Sequence, residues 1–290
     1  MKEVIIIGNG PAGISASLYT ARAGIKTTII GKDGGALAKA DKIENYYGFE
    51  NPVSGEELIN AGIAQAKRLG TEIISDEATG IGYDGKLTVK TVNGEYKADS
   101  VILATGANRV VPKITGIDTY EGKGVSYCAV CDGFFYKNKD VAVLGNGEYA
   151  LAEATELLPI VKSIAIITNG TELTAKIPDN INIITKEIEK FTGSDSFEKI
   201  LFKDGTNLEV SGVFVALGIA GSNDFAKKLG AEINGRNITV DEKMATNVPG
   251  LYAAGDCTGG MFQIAKAVYE GAKAGTEAVK YLKNLRPLHF

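Results

Sequence analysis

The sequence predicts an α/β fold built twice over, and three observations carry that expectation. Val4-Ile5-Ile6-Ile7 and Val141-Ala142-Val143-Leu144 are continuous apolar runs of the kind buried on both faces of a parallel sheet. Each leads directly into a glycine turn, Gly8-Asn9-Gly10-Pro11-Ala12-Gly13 and Gly145-Asn146-Gly147-Glu148-Tyr149-Ala150, then a helical pattern and a second apolar run. The stretch at 213–218 mirrors the one at 101–106, so the chain carries an internal repeat of a nucleotide-binding half-fold. At 290 residues it is long for one core, and two Rossmann-like domains are expected.

Taken in order, the first turn has a mechanism. Gly8 permits the tight turn, Gly10 lets backbone approach a pyrophosphate, and Gly13 lets the helix pack closely on the strand. The helix, running to residue 23, then directs its N-terminus at the phosphates. A strand at 26–30 follows, but the acid expected at its end is replaced by Gly31-Lys32, with Asp33 arriving late. An amphipathic helix is expected at 55–69 and a strand at 71–75. Residues 79–98 alternate apolar and polar around Asp84-Gly85 and Asn93-Gly94, the pattern of a small meander. Ala104-Thr105-Gly106 ends a buried strand where a cofactor meets the carboxyl edge of a sheet. Residues 110–120, with Pro112 and Gly116, read as a linker. After the second repeat, Asp204-Gly205 marks a hairpin, Pro249-Gly250 precedes Leu251-Tyr252-Ala253-Ala254-Gly255-Asp256, and a last helix spans about 263–285.

Composition narrows the function classes. A net charge of −4 gives no bulk electrostatic case for nucleic acid. No apolar run of about 18 residues is present, so no membrane span is expected. Met1-Lys2-Glu3 enters a strand with no leader pattern, and a cytoplasmic protein is expected.

Between the repeats lies Val125-Ser126-Tyr127-Cys128-Ala129-Val130-Cys131-Asp132-Gly133. Cys-x-x-Cys in such a chain is a candidate redox dithiol. Half a zinc site is the rival reading, but only Cys257 and His289 are left to complete it, and no metal is expected. A chance pair of buried cysteines is the other.

Two glycine units, a Cys-x-x-Cys-Asp-Gly between them and a late Ala-Gly-Asp together resemble the low-molecular-weight thioredoxin reductase family over residues 4–282. That resemblance implies two three-layer ββα domains. A discontinuous FAD domain would cover residues 1–112 and 246–290, with a pyridine-nucleotide-type domain inserted at 113–245, and the protein would be a homodimer. It implies that Cys131 faces the flavin, that Cys128 attacks the thioredoxin disulfide, and that Asp132 moves the proton of the nearer thiol. The FAD would lie along Gly8, Gly10, Pro11, Ala12 and Gly13, then Gly34, Gly35, Ala36, Leu37, Asn45 and Ala78. Ala104, Thr105, Gly106, Gly255, Asp256, Phe262, Gln263 and Ile264 would complete its site, with Asp256 on the ribityl chain and Gln263 at the pyrimidine edge. Phe262 stands where the family has Arg, and the loop after Asp256 is one residue shorter. Cys257 reads as a small buried residue. Some domain rotation is expected, because the dithiol has to meet both the flavin and a protein disulfide.

The second glycine unit departs further. Where NADPH-using members carry an Arg-rich segment, this chain has Thr168-Asn169-Gly170-Thr171-Glu172, and Lys162 and Lys176 are the only basic residues between 141 and 180. A bidentate guanidinium site for a phosphate dianion cannot be built from these. Tyr149 replaces a small Ser. The pattern resembles the ferredoxin-linked flavin thioredoxin reductases, which implies reduced ferredoxin as donor, thioredoxin as acceptor, and no use of NADPH. An NADH- or NADPH-dependent reductase with an unusual site, a flavin dithiol oxidase using oxygen, and a redox sensor without turnover remain as rivals. The tail Arg286-Pro287-Leu288-His289-Phe290 covers the flavin or a partner site, or is simply packed or disordered.

Overall fold

The four apolar side chains after Glu3 are all buried, and they set β1 (Glu3–Ile7) in the middle of a parallel sheet. The structure is a computed structural model describing residues 2–32, 34–106 and 112–285. Asp33 and the tail with His289 lie outside those residues. From β1 the chain runs through α1 (Pro11–Arg22), β2 (Lys26–Ile30), α2 (Gly55–Arg68) and β3 (Glu72–Ile74). Pro11 opens α1, where its missing N–H costs nothing. Ser54 and Glu57 cap α2 reciprocally, a box worth about 1 kcal/mol. The meander is β4 (Ala78–Tyr83), β5 (Leu87–Thr91) and β6 (Glu95–Ala98), paired antiparallel, and β7 (Ser100–Leu103) returns to the parallel sheet.

Next come β8 (Val125–Ser126), α3 (Ala129–Asp132), β9 (Asp140–Leu144), α4 (Glu148–Leu157), β10 (Ser163–Ile167) and β11 (Asn182–Ile184). A small antiparallel sheet of β12 (Ile188–Thr192), β13 (Lys199–Phe202) and β14 (Asn207–Glu209) leads to β15 (Gly212–Val215). The chain closes with α5 (Ser222–Lys228), the short pair β16 (Ile233–Asn234) and β17 (Asn237–Ile238), then β18 (Leu251–Ala253) and α6 (Ile264–Asn284).

The chain divides into two compact units: Met1–Arg109 with Gly221–Phe290, and Val110–Ala220. Residues 221–245, assigned to the insertion on sequence, group with the discontinuous unit, where Ser222 bonds Thr105. Residues 112–120 are more than a linker. Ile114, Ile117 and Tyr120 are buried in the inserted unit's core with Phe191 and Phe197, because this segment supplies apolar side chains that the small antiparallel sheet needs covered.

Among the described residues each unit has a five-stranded, all-parallel sheet, ordered β18-β7-β1-β2-β3 and β8-β15-β9-β10-β11. The repeat is therefore topological as well as sequential, with one permutation. The outer strand beside β7 arrives last in its unit, whereas its counterpart β8 arrives first. Both strands deliver chemistry to the carboxyl edge of their sheet: Gly255-Asp256 follows β18, and Cys128 follows β8. That edge, where strand order reverses around β1 and β9, is where such sheets bind ligands.

Candidate functional site

The turn after β1 is constrained by close approach. Gly8 has a φ of +114°, and a Cβ there would lie 2.2 Å from the Ala104 carbonyl oxygen. A Cβ on Gly13 would lie 1.9 Å from the Gly8 oxygen, so helix, turn and strand end are pressed together. Gly10 differs: nothing lies within 4 Å of its Cβ position, which leaves the start of α1 open, and no side chain caps that helix. A cleft of about 310 Å³ opens beside the turn, with Gly10, Pro11, Leu37 and Ile264 from the expected cofactor set on its wall. An open helix N-terminus over glycine backbone suits a pyrophosphate, so the residues present fit FAD.

Other members of the expected set meet in the same unit. Asn45 Nδ2 donates to Gln263 Oε1 at 3.0 Å, which joins two of them directly. Thr105 and Ser222 share a hydroxyl–hydroxyl contact of 2.7 Å, and Ser222 N donates to Thr105 Oγ1 at 2.7 Å. Phe262 is exposed. Ala78 is buried in β4, paired with Thr91, and does not line the cleft.

Sequence reasoning missed the clamp on Gly255. Lys266 Nζ donates to the Gly255 carbonyl at 2.8 Å, and Glu270 Oε2 accepts the Gly255 N–H at 2.8 Å. The two side chains pair at 3.0 Å, both mostly buried, and share Thr258 Oγ1. On sequence they are an ordinary i,i+4 pair, which reads as solvated helix surface. Burial pushes the Asp256 carboxyl up, an effect that Lys266 opposes and Glu270 reinforces. Cys257 is fully buried and its thiol is pushed up to about 11 by that burial, so it is a packed residue and not a nucleophile.

In the inserted unit, Cys128 and Cys131 form a disulfide with Cα atoms 5.3 Å apart. Cys128 is buried while Cys131 is exposed. The Cys131 N–H donates to Cys128 Sγ at 3.2 Å. Ser126 Oγ donates to Asp132 Oδ2 at 2.7 Å and accepts the Cys128 N–H at 3.1 Å, so one hydroxyl ties Asp132 to the cysteine backbone. Ala129 N–H donates to Glu153 Oε2 at 2.7 Å. Val130, Phe134 and Phe135 are exposed on the same segment. Burial, then the Asp132 carboxylate, pushes the Tyr136 hydroxyl up.

The second glycine turn is built over. Asn146 Nδ2 donates to the Glu172 carbonyl at 2.8 Å, and the Asn146 carbonyl accepts from Thr174 N and Oγ1 at 2.8 and 3.1 Å. Tyr149, in the first turn of α4, is completely buried. Lys162, one of the two cations between 141 and 180, pairs with Asp140 at 3.1 Å at the start of β9, the edge opposite the turn. Among the described residues, no helix is long and apolar enough to cross a membrane, and no group of three side chains is placed to hold a metal ion.

A family model described as pyridine nucleotide-disulphide oxidoreductase matches residues 2–271. The chain is similar to the thioredoxin reductase of Aquifex aeolicus (strain VF5), at 36% identity over 99% of this chain and 95% of that one. Among solved structures it is similar to the atypical thioredoxin reductase TRi from Desulfovibrio vulgaris Hildenborough, at 43% identity and a TM-score of 0.94, covering 99% of this chain and 100% of that one. It is also similar to a ferredoxin-flavin thioredoxin reductase from Clostridium acetobutylicum, at 32% identity and a TM-score of 0.72, covering 98% and 99%.

Proposed function

This chain belongs to the pyridine nucleotide-disulphide oxidoreductase family, as a thioredoxin reductase, and from that premise we propose that its reductant is reduced ferredoxin and not a nicotinamide nucleotide. The observation that carries the proposal is the second glycine turn. It is bridged to the 168–174 loop through Asn146, the helix that follows it buries Tyr149 in its first turn, and the loop has no guanidinium for a phosphate dianion. The similarity to a ferredoxin-flavin thioredoxin reductase supports the same reading.

Overall, two reduced ferredoxins, two protons and one thioredoxin disulfide give two oxidised ferredoxins and one thioredoxin dithiol. Plant-type ferredoxins lie near about −400 mV and thioredoxin near about −270 mV, so the transfer is downhill by roughly 6 kcal/mol. Bound FAD supplies a carrier that accepts electrons singly and passes them on as a pair. The turn at Gly8, Gly10 and Gly13 would hold its pyrophosphate, Asp256 its ribityl chain and Gln263, bonded to Asn45, its pyrimidine edge. Once reduced, Cys128 attacks the thioredoxin disulfide and releases one thioredoxin thiol. Cys131 then attacks the mixed disulfide, frees the second thiol and restores the Cys128–Cys131 bond. Asp132, fixed by Ser126, moves the proton of the neighbouring thiol. Exposed Val130, Phe134 and Phe135 offer thioredoxin an apolar rim beside the cysteines. Because Cys128 is buried, it has to be uncovered before that attack. A homodimer belongs to the same reading and is checked by light scattering.

The test is anaerobic mixing of the flavoprotein with reduced ferredoxin, NADH and NADPH in parallel. Loss of the flavin's visible absorbance with ferredoxin alone is expected. Bleaching by NADPH and not by ferredoxin overturns the donor assignment.

A further inference from the structure

We infer that Glu153 is a positioning residue for the dithiol: it holds a buried negative charge beside the Cys128–Cys131 pair and keeps that pair a strong reductant. Glu153 lies on α4 and is only 1% exposed. Its Oε2 accepts the N–H of Ala129, the residue directly after Cys128 and itself buried, at 2.7 Å. The two N–H groups at this tight turn are thereby divided. Cys131 N–H points at Cys128 Sγ, where it favours a thiolate, while Ala129 N–H is taken by a carboxylate.

A negative charge held one peptide from a sulfur in a low-dielectric surround disfavours the thiolate. Ionisation is what stabilises the reduced form of a dithiol relative to its disulfide. Withholding it makes the disulfide harder to reduce and the dithiol a better donor to a protein disulfide. Tyr127, Asp132 and Tyr136 on the cysteine segment, and Glu148, Tyr149 and Glu156 on α4, are the other titratable groups of these elements. Among these carboxylates Glu153 accepts the backbone N–H beside Cys128, whereas Asp132 accepts the Ser126 hydroxyl. This assignment rests on the dithiol relay proposed above.

The test equilibrates the purified full-length flavoprotein, anaerobically and near about pH 8, with mixtures of reduced and oxidised dithiothreitol. Each dithiothreitol gives up two electrons and two protons as it closes to its ring disulfide, and Cys128–Cys131 takes both to become two thiols. Acid quenching, alkylation and mass measurement count the reduced pairs. Glu153→Gln keeps an acceptor for Ala129 N–H and removes the charge. It is expected to shift the equilibrium about threefold toward the dithiol, and to speed alkylation of the reduced pair about threefold, since the thiolate fraction sets both. Glu153→Leu is expected to move both in the same direction. A neutral variant that folds yet matches the wild-type equilibrium overturns the inference. So does failure of both neutral variants to fold, which makes Glu153 a folding requirement only. A wild-type disulfide that dithiothreitol cannot reduce sinks the relay reading itself, before Glu153 is tested.

Discussion

Ser126 is the residue through which Asp132 is held, because one hydroxyl both donates to that carboxylate and accepts the Cys128 N–H. Removing it frees the acid from the cysteine backbone without touching either sulfur. Ser126→Ala is therefore expected to lower thioredoxin turnover by about tenfold, the worth of one charge-assisted hydrogen bond, with flavin content unchanged. Steady-state thioredoxin turnover, with flavin absorbance as the control for cofactor content, measures it. Cys257 gives the opposite kind of expectation. Its thiol is raised from 9.0 to about 11 by burial, so the folded state favours the protonated form. The stability this contributes is complete below about pH 9 and is lost as pH rises from there toward 11. Cys257→Ala is expected to keep full turnover and to flatten that alkaline loss in denaturant titrations.

At the scale of elements, α6 organises the discontinuous unit through its first turns and its middle. Gly271 and Gly275 let it lie against α1, with Cβ positions 2.1 and 2.5 Å from the Ala12 and Ala16 carbonyl oxygens. Its first turns carry Lys266 and Glu270, which clamp the Gly255 peptide between them. Breaking a buried pair by removing one partner leaves an uncompensated charge and costs about 3–5 kcal/mol, whereas removing both costs much less. Lys266→Met is thus expected to release flavin at lower denaturant than wild type, and Lys266→Met with Glu270→Gln to recover most of the loss. Flavin fluorescence during urea titration reports both. This clamp also shows where sequence reading stops. The strands at 4–7 and 141–144 were legible because their apolar runs can only be buried, and the first glycine turn because its spacing has one mechanical use. Burial of a charged i,i+4 pair has no local signature. Nor has the burial of Glu153, whose partner Ala129 is distant in sequence. The segment at 112–120 was misread for a related reason: Pro112 and Gly116 mark turns, but whether a turn crosses a surface or a core depends on Phe191 and Phe197, far along the chain.

At the scale of the whole molecule, the chain contains one half-fold twice, with one glycine turn open and the other closed. Gly10 has nothing above it, while the turn at Gly145-Asn146-Gly147 is bridged through Asn146 to Glu172 and Thr174 and carries a buried phenol on its helix. The closure is redundant, and the missing guanidinium is independent of it. On the proposed reading, relieving only one obstacle is therefore expected not to give nucleotide use. Tyr149→Ser, which puts back the small residue of the NADPH-using pattern, is expected to cost about 3 kcal/mol through the cavity it leaves. The same variant is expected to show no saturable bleaching of the flavin by NADPH under anaerobic stopped-flow conditions. The backbone bridge remains, and a phosphate dianion still finds no bidentate partner in Thr168-Asn169-Gly170-Thr171-Glu172. If Tyr149→Ser alone made NADPH an efficient reductant, the turn would be a nucleotide site blocked by one side chain, and the case for ferredoxin built on it would fall.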